Sequence, residues 1–230
     1  MNEKVVVITG AGSGLGASLA KKYSELGSHV CLLGRTRTNL ERTAQTLVNG
    51  YSIYELDVTS KSEVDIVFQS IKENAGPIDL LINNAGLGVF DLAENIGEEA
   101  IHQMIDINLK GTIFCTQAVL PDMKERNQGK IANVISTAGI EGKVTESVYC
   151  ASKFGVRGFT ESLLVELKDS AVQVYAAYMG GMRTAFWDGI FSEEEIKNLM
   201  DPDDVAEIIM DNIKPRKNLN VTEVVIKNSF

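Results

Sequence analysis

Short apolar runs recur along the chain, each followed by a segment whose apolar residues return every three or four positions. The runs Val5–Thr9, His29–Leu33, Ser52–Asp57, Leu80–Asn83, Ile131–Ser136, Val172–Tyr178 and Val221–Ile226 are brief and rich in β-branched or aromatic residues. Most end at Gly, Asp, Asn or Ser, which predicts buried strands. Between them, Leu15, Leu19, Ala20, Tyr23 and Leu26 form one helical stripe, and Val64, Val67, Phe68 and Ile71 form a second. Further stripes are Ile113, Phe114, Ala118 and Leu120, and then Val156, Phe159, Leu163, Leu164 and Leu167. The last is Val205, Ile208, Ile209 and Ile213, behind the helix-start signature Asp201-Pro202-Asp203. Strands that are apolar throughout, alternating with amphipathic helices, imply a parallel sheet covered on both faces. With right-handed crossovers, the expected fold is a single α/β domain over residues 1–230: a doubly wound, seven-stranded parallel sheet with helices on both faces.

Composition narrows the function. Hydrophobic residues make up 44% of the 230 positions, so a sizeable core needs no disulfides or metal. A net charge of -9 repels phosphate backbones and argues against nucleic-acid binding, while leaving room for a small cationic pocket. Cys31, Cys115 and Cys150 are odd in number and far apart, with no CxxC and no His-rich partner. They read as reduced thiols, and no metal site is expected. The N-terminus leads straight into a strand without a signal-peptide pattern, and no apolar stretch approaches membrane-spanning length. A cytoplasmic protein without nucleic-acid or membrane partners is expected.

The first strand runs into Thr9-Gly10-Ala11-Gly12-Ser13-Gly14-Leu15-Gly16 and then a helix. Glycines there permit a tight turn and close approach of a pyrophosphate, and the helix start offers free N–H groups and a positive dipole end. The second half carries Tyr149-Cys150-Ala151-Ser152-Lys153, with phenol and amine on one helix face. Upstream lie Asn83-Asn84-Ala85-Gly86 at a strand end, Asn108, and Ser136, which closes a strand thirteen residues before Tyr149.

The GxxxGxG spacing of Gly10, Gly14 and Gly16, with these four features in order, resembles the short-chain dehydrogenase/reductase family over nearly the whole chain. The resemblance implies a Rossmann fold that binds NAD(P), and a catalytic tetrad falling on Asn108, Ser136, Tyr149 and Lys153. Tyr149 is then the proton donor to a carbonyl, or the base in the oxidative direction. The Lys153 ammonium should lower the phenol's pKa and hold the nicotinamide ribose. Ser136 should donate a hydrogen bond to the substrate oxygen, and Asn108 should position a water that relays protons. Implied cofactor contacts are Gly10, Ser13, Gly14, Leu15, Gly16, Asp57, Val58, Asn84, Ala85, Gly86, Tyr149, Lys153, Gly180 and Thr184.

After the second strand, Gly34 stands where an NAD enzyme usually has an acid, and Arg35 and Arg37 follow. Guanidinium groups suit a 2′-phosphate, so NADP(H) is expected rather than NAD(H), with Arg35 leading; Arg37 either helps or is solvated charge. In Tyr178-Met179-Gly180-Gly181-Met182-Arg183-Thr184, Gly180 and Thr184 fit the family pattern. Tyr178 and Met179 replace its Asn-Pro and put the loop's rigidity in doubt. A substrate lid is expected at about residues 185–200, with Phe186, Trp187 and Phe191 and a capping box from Ser192 to Glu195. Its rings suit an apolar or aromatic carbonyl, or simply pack on the core or a second subunit. Ile140, Glu141 and Val144 are further pocket candidates. The expected activity is hydride transfer between NADP(H) and a small carbonyl or alcohol, in a homodimer or homotetramer. The alternatives are a 3-oxoacyl reductase or 3-hydroxy acid dehydrogenase, and a catalytically silent NADP(H)-sensing protein.

Overall fold

The computed structural model describes residues 4–229. Seven strands, β1 (Val5–Thr9), β2 (His29–Gly34), β3 (Tyr51–Glu55), β4 (Ile78–Asn83), β5 (Lys130–Ser136), β6 (Gln173–Met179) and β7 (Glu223–Ile226), form one sheet. Its order is β3-β2-β1-β4-β5-β6-β7, and every neighbouring pair is parallel. The helices are α1 (Gly14–Glu25), α2 (Arg37–Ala44), α3 (Lys61–Ala75), α4 (Glu98–Met104), α5 (Gly111–Glu125), α6 (Ser147–Glu166), α7 (Glu193–Ile196) and α8 (Pro202–Ile213).

Two apolar layers sandwich the sheet, and β1 feeds both. Val6 and Ile8 join Leu19, Leu32, Leu40, Val205 and Ile209 on the side of α1, α2 and α8. Val5 and Val7 join Leu33, Phe68, Ile71, Leu81, Val119 and Leu163 on the side of α3, α5 and α6. Strand order reverses between β1 and β4, so the carboxyl ends of these strands open a crevice, the place where doubly wound sheets take ligands.

Several boundaries depart from expectation. β3 ends at Glu55 because Asp57 turns the chain, accepting the Thr59 N–H (2.9 Å) and hydroxyl (2.8 Å) on Oδ1. The buried face of α5 is Thr112, Cys115, Thr116, Val119 and Met123, with Ile113, Phe114, Ala118 and Leu120 only half-buried beside it. Leu26, at the end of α1, is 72% exposed. On α6, Val156 and Leu163 are buried in the core, which takes them from any subunit contact. The three cysteines are free and buried, and burial pushes the Cys31 and Cys115 thiols up to about 12. Among the described residues no helix is long and apolar enough to cross a membrane, and no group of His, Cys, Asp and Glu could hold a metal ion.

Candidate active site

The crevice is a cleft of about 500 Å³ running from the glycine turn to α6. At its floor, β1 hands over to α1 through two glycines with positive φ, Gly10 (64°) and Gly14 (49°). A Cβ on Gly10 would lie 2.9 Å from the Ala85 Cα, so the turn needs glycine to pass the loop after β4. Thr9 locks that loop, its hydroxyl accepting the N–H groups of Asn84 and Ala85, each at 3.0 Å. Asn84 ties the two loops together by donating to the carbonyls of Thr9 (3.0 Å) and Gly10 (3.2 Å). Gly16 does not line the cleft. Its role is packing, because a Cβ there would stand 2.3 Å from the Gly10 carbonyl oxygen. Ser13, the N-cap of α1, makes no side-chain cap bond, so its hydroxyl and the first-turn N–H groups are available to an anion.

Tyr149 and Lys153, one turn apart on α6, line the same cleft, as does Ser136 at the end of β5. The Lys153 Nζ donates to the Val134 carbonyl at 3.3 Å and sits 5.7 Å from the centre of the Tyr149 ring. Burial holds the Tyr149 phenol well above its ordinary range; hydrogen bonding with Ser136 opposes this, and Glu146 and Cys150 add to it. The expected lowering by Lys153 is absent from that balance; burial disfavours the lysine's own charge too and brings its pKa down to about 8.

Asn108 stands behind the cleft rather than in it. It lies in a π-helical turn, Ile105–Lys110, between α4 and α5. Its Oδ1 accepts the Leu87 N–H (2.8 Å), and its Nδ2 donates to the Leu87 carbonyl (2.9 Å) and the Ser152 hydroxyl (2.9 Å). The Ser152 hydroxyl in turn donates to the Tyr149 carbonyl (2.7 Å), so Asn108 joins the β4 loop to the turn of α6 bearing the tyrosine.

A smaller hollow of about 120 Å³ continues past the glycine turn, lined by Gly34, Arg35, Asp57 and Val58 together with Gly10, Ala85 and Gly86. Arg35 is exposed at its edge and has no ion-pair partner among the described residues. Arg37 lies outside the hollow, neutralised by Glu41 at 2.9 Å and Glu55 at 3.5 Å. The expectation that it helps hold a phosphate is therefore unsupported by its position. Gly180 and Thr184 line the far wall of the main cleft, and the Thr184 methyl would lie 3.0 Å from a Cβ on Gly14.

The segment after Thr184 covers the other end. Phe186 and Trp187 line the cleft, and Phe90 backs them, stacked on Trp187 (5.5 Å) and edge-on to Tyr149 (5.5 Å). The expected capping box at Ser192 and Glu195 is present at the start of α7. Ile140, Glu141 and Val144 do not line the cleft: Ile140 packs on the core, Glu141 faces Lys227, and Val144 is 83% exposed. Their places are taken by Lys143 and Glu146, which the sequence reading passed over. Glu146 lies three positions before Tyr149, a helical spacing that could have drawn attention to it.

The sequence profile of the short chain dehydrogenases matches residues 4–195. An uncharacterised oxidoreductase of Staphylococcus epidermidis is 33% identical over 227 residues, covering 99% of this chain and 98% of its own. Among solved structures, an alcohol dehydrogenase from the archaeon Thermococcus sibiricus, complexed with 5-hydroxy-NADP, superposes with a TM-score of 0.91 at 26% identity, covering 99% of this chain and 97% of that one. A serine dehydrogenase in its closed form with NADP+ superposes with a TM-score of 0.90 at 32% identity, covering 96% and 93%.

Proposed function

The chain belongs to the short-chain dehydrogenase family and is an oxidoreductase, and from that premise we propose that it is an NADP(H)-dependent reductase of small carbonyl compounds, with Tyr149 as its acid/base. The observation that carries the reading is that Ser136, Tyr149 and Lys153 line the same cleft as the Gly10–Leu15 turn. The geometry fits a dinucleotide: a glycine turn that a Cβ would fill, a helix start for the pyrophosphate, and a second hollow beyond it for the adenosine end. Gly10, Ser13, Gly14 and Leu15 would hold the pyrophosphate. Asp57 and Val58 would face the adenine, and Lys153, Gly180 and Thr184 the nicotinamide half.

The chemistry supplied by the bound nicotinamide is hydride transfer to carbon. The protein's part is to orient the substrate and to deliver a proton to its oxygen. Burial keeps the Tyr149 phenol protonated at neutral pH, as a donor in the reductive direction must be. Ser136 donates to the same oxygen as charge develops on it. Lys153, next to the phenol, supplies positive potential when the proton leaves. Asn108 acts through others, fixing the Leu87 backbone and, by way of Ser152, the tyrosine's turn.

Gly34 and Arg35 support NADP(H) as the cofactor. The first leaves no carboxylate to repel a 2′-phosphate, and the second is an uncommitted guanidinium beside it. The two structural relatives named above, each with an NADP-type ligand, are consistent with that reading. Tyr149→Phe should retain NADPH binding and lose roughly 10²–10⁴ in turnover of any ketone or aldehyde that the parent reduces, the usual scale for a lost acid/base group. NADPH absorbance, followed against a carbonyl panel, measures this. Near-normal turnover in the variant would remove Tyr149 from the mechanism.

A further inference from the structure

Glu146 occupies the N-cap position of α6, where a short polar side chain often turns back to accept the free N–H groups of the first turn. It makes no such bond. The side chain instead lines the substrate end of the cleft, half-buried, without an ion pair or a side-chain hydrogen bond among the described residues. Its charge is felt at the Tyr149 phenol. Burial raises its own pKa, with Lys143 acting the other way. Lys143, on the same cleft wall, offsets part of that charge without forming an ion pair with it, its ammonium donating to the Thr137 hydroxyl at 2.8 Å. A second carboxylate, Asp188, stands on the cleft wall. The same cleft carries the rings of Tyr149, Phe186 and Trp187, with Phe90 behind them. A carboxylate without an ion-pair partner, in a cleft that also presents aromatic rings, attracts organic cations, because apolar walls strengthen its field and the rings favour positive charge.

We propose that Glu146 selects substrates carrying a protonated amine close to the reacting carbon, so that the protein reduces amino ketones in preference to neutral or anionic ketones of the same size. This rests on the reductase reading above. In the step, the carbonyl π bond opens and its carbon gains a hydrogen with two electrons from the reduced nicotinamide, which is oxidised. The oxygen takes the Tyr149 proton, and the ammonium is unchanged in the amino alcohol that leaves.

Three ketones of one shape separate the possibilities: 1-(dimethylamino)propan-2-one as the cation, 4-methylpentan-2-one as its neutral isostere, and 3-oxobutanoate as the anion. Trp187 is the chain's single tryptophan and lies in the cleft, so its fluorescence reads binding without turnover. With NADPH and the full chain, kcat/KM for the cation should exceed that of the neutral ketone at least tenfold. Quenching of Trp187 in Tyr149→Phe with NADP+ bound should show the same preference. Glu146→Gln should bring the cation-to-neutral ratio close to one, and Glu146→Asp, which keeps the charge, should restore part of it. Turnover with no cation preference, a preference for 3-oxobutanoate, or a ratio indifferent to Glu146→Gln would overturn the proposal and leave the reductase reading standing. Cation-selective quenching lost in Glu146→Gln, with no ketone reduced, would bear out the cation site and overturn the reductase reading instead.

Discussion

Two cations in the site answer to opposite pressures. Lys153 is buried without a carboxylate partner among the described residues, so the fold holds its ammonium at a cost, and its pKa falls from 10.5 to about 8. Between those two pH values the unfolded chain binds the extra proton and the folded chain does not, so this residue makes stability rise with pH across that window. Below pH 8 the full cost is present. Lys153→Met should therefore stabilise the free protein at pH 7 by roughly 3 kcal/mol, taking about 1.4 kcal/mol per pH unit of displacement. Urea unfolding of both proteins should show the gap closing as pH rises from 8 to 10.5. Equal stability at pH 7, or a gap that widens with pH, would contradict this. Arg35, by contrast, is solvated and has no ion-pair partner among the described residues, so under the NADP(H) reading its contribution should appear only when a phosphate arrives. A charge-assisted hydrogen bond contributes about 1.5–3 kcal/mol, so Arg35→Ala should weaken NADPH roughly ten- to hundredfold and NADH far less. Arg37→Ala, whose guanidinium already faces Glu41 and Glu55, should change the ratio little. Parallel titrations with the two dinucleotides measure both.

At the level of elements, what the sequence makes legible is whatever burial pattern alone decides. β1 is buried on both faces, and its bounds coincide with the apolar run Val5–Thr9. The capping box at Ser192 and Glu195 and the Asp201-Pro202 start of α8 are local chemistry and are present as expected. The apolar stripe of α5 misses its core face because that face carries polar residues. Thr116 is buried, accepting a hydrogen bond from Asn83 at 3.1 Å, and Asn83 also donates to Asn133 at 2.9 Å. A hydropathy stripe passes over such a threonine and lands on its half-buried neighbours. The π-helical turn at Asn108 has no local signature, because tertiary bonds to Leu87 and Ser152 hold it. The cleft residues Ser136, Tyr149 and Lys153 are legible as motifs, whereas the electrostatics of the phenol are not, since burial depends on the whole fold. The spacing of Arg37 and Glu41, four positions apart, favours the reading of Arg37 as solvated charge over that of a phosphate ligand.

Across the whole molecule, the cleft is assembled from both ends of the chain. The turn after β1 supplies the floor, and the loop after β6 supplies the wall opposite, where Thr184 stands over Gly14. That wall lacks the proline that would have fixed its backbone, and residues at the C-terminal end of the chain brace it instead. The Gly180 N–H donates to the Ile226 carbonyl at 2.9 Å, and Asn228 Nδ2 donates to the Gly181 carbonyl at 3.2 Å. The Asn228 side chain also lies where a Cβ on Gly180 would be, 2.6 Å from its Oδ1, so glycine and asparagine fit together there. Beyond the loop, Met182 pairs with Met200, and Arg183 meets Asp201 at 2.6 Å, closing the base of the aromatic segment. If this bracing stands in for the missing ring, loosening it should be felt at the nicotinamide end and not in the core. A single neutral hydrogen bond contributes about 1 kcal/mol, so Asn228→Ala should weaken NADPH roughly fivefold, and Asn228→Asp, which loses the donor, should weaken it as well. The thermal midpoint should hardly move, because the bond lies outside both apolar layers. Titration with NADPH beside a melting curve distinguishes the outcomes: unchanged affinity would place the loop's rigidity in the Met182–Met200 pairing, and a large fall in the midpoint would make Asn228 a residue of the fold and not of the site.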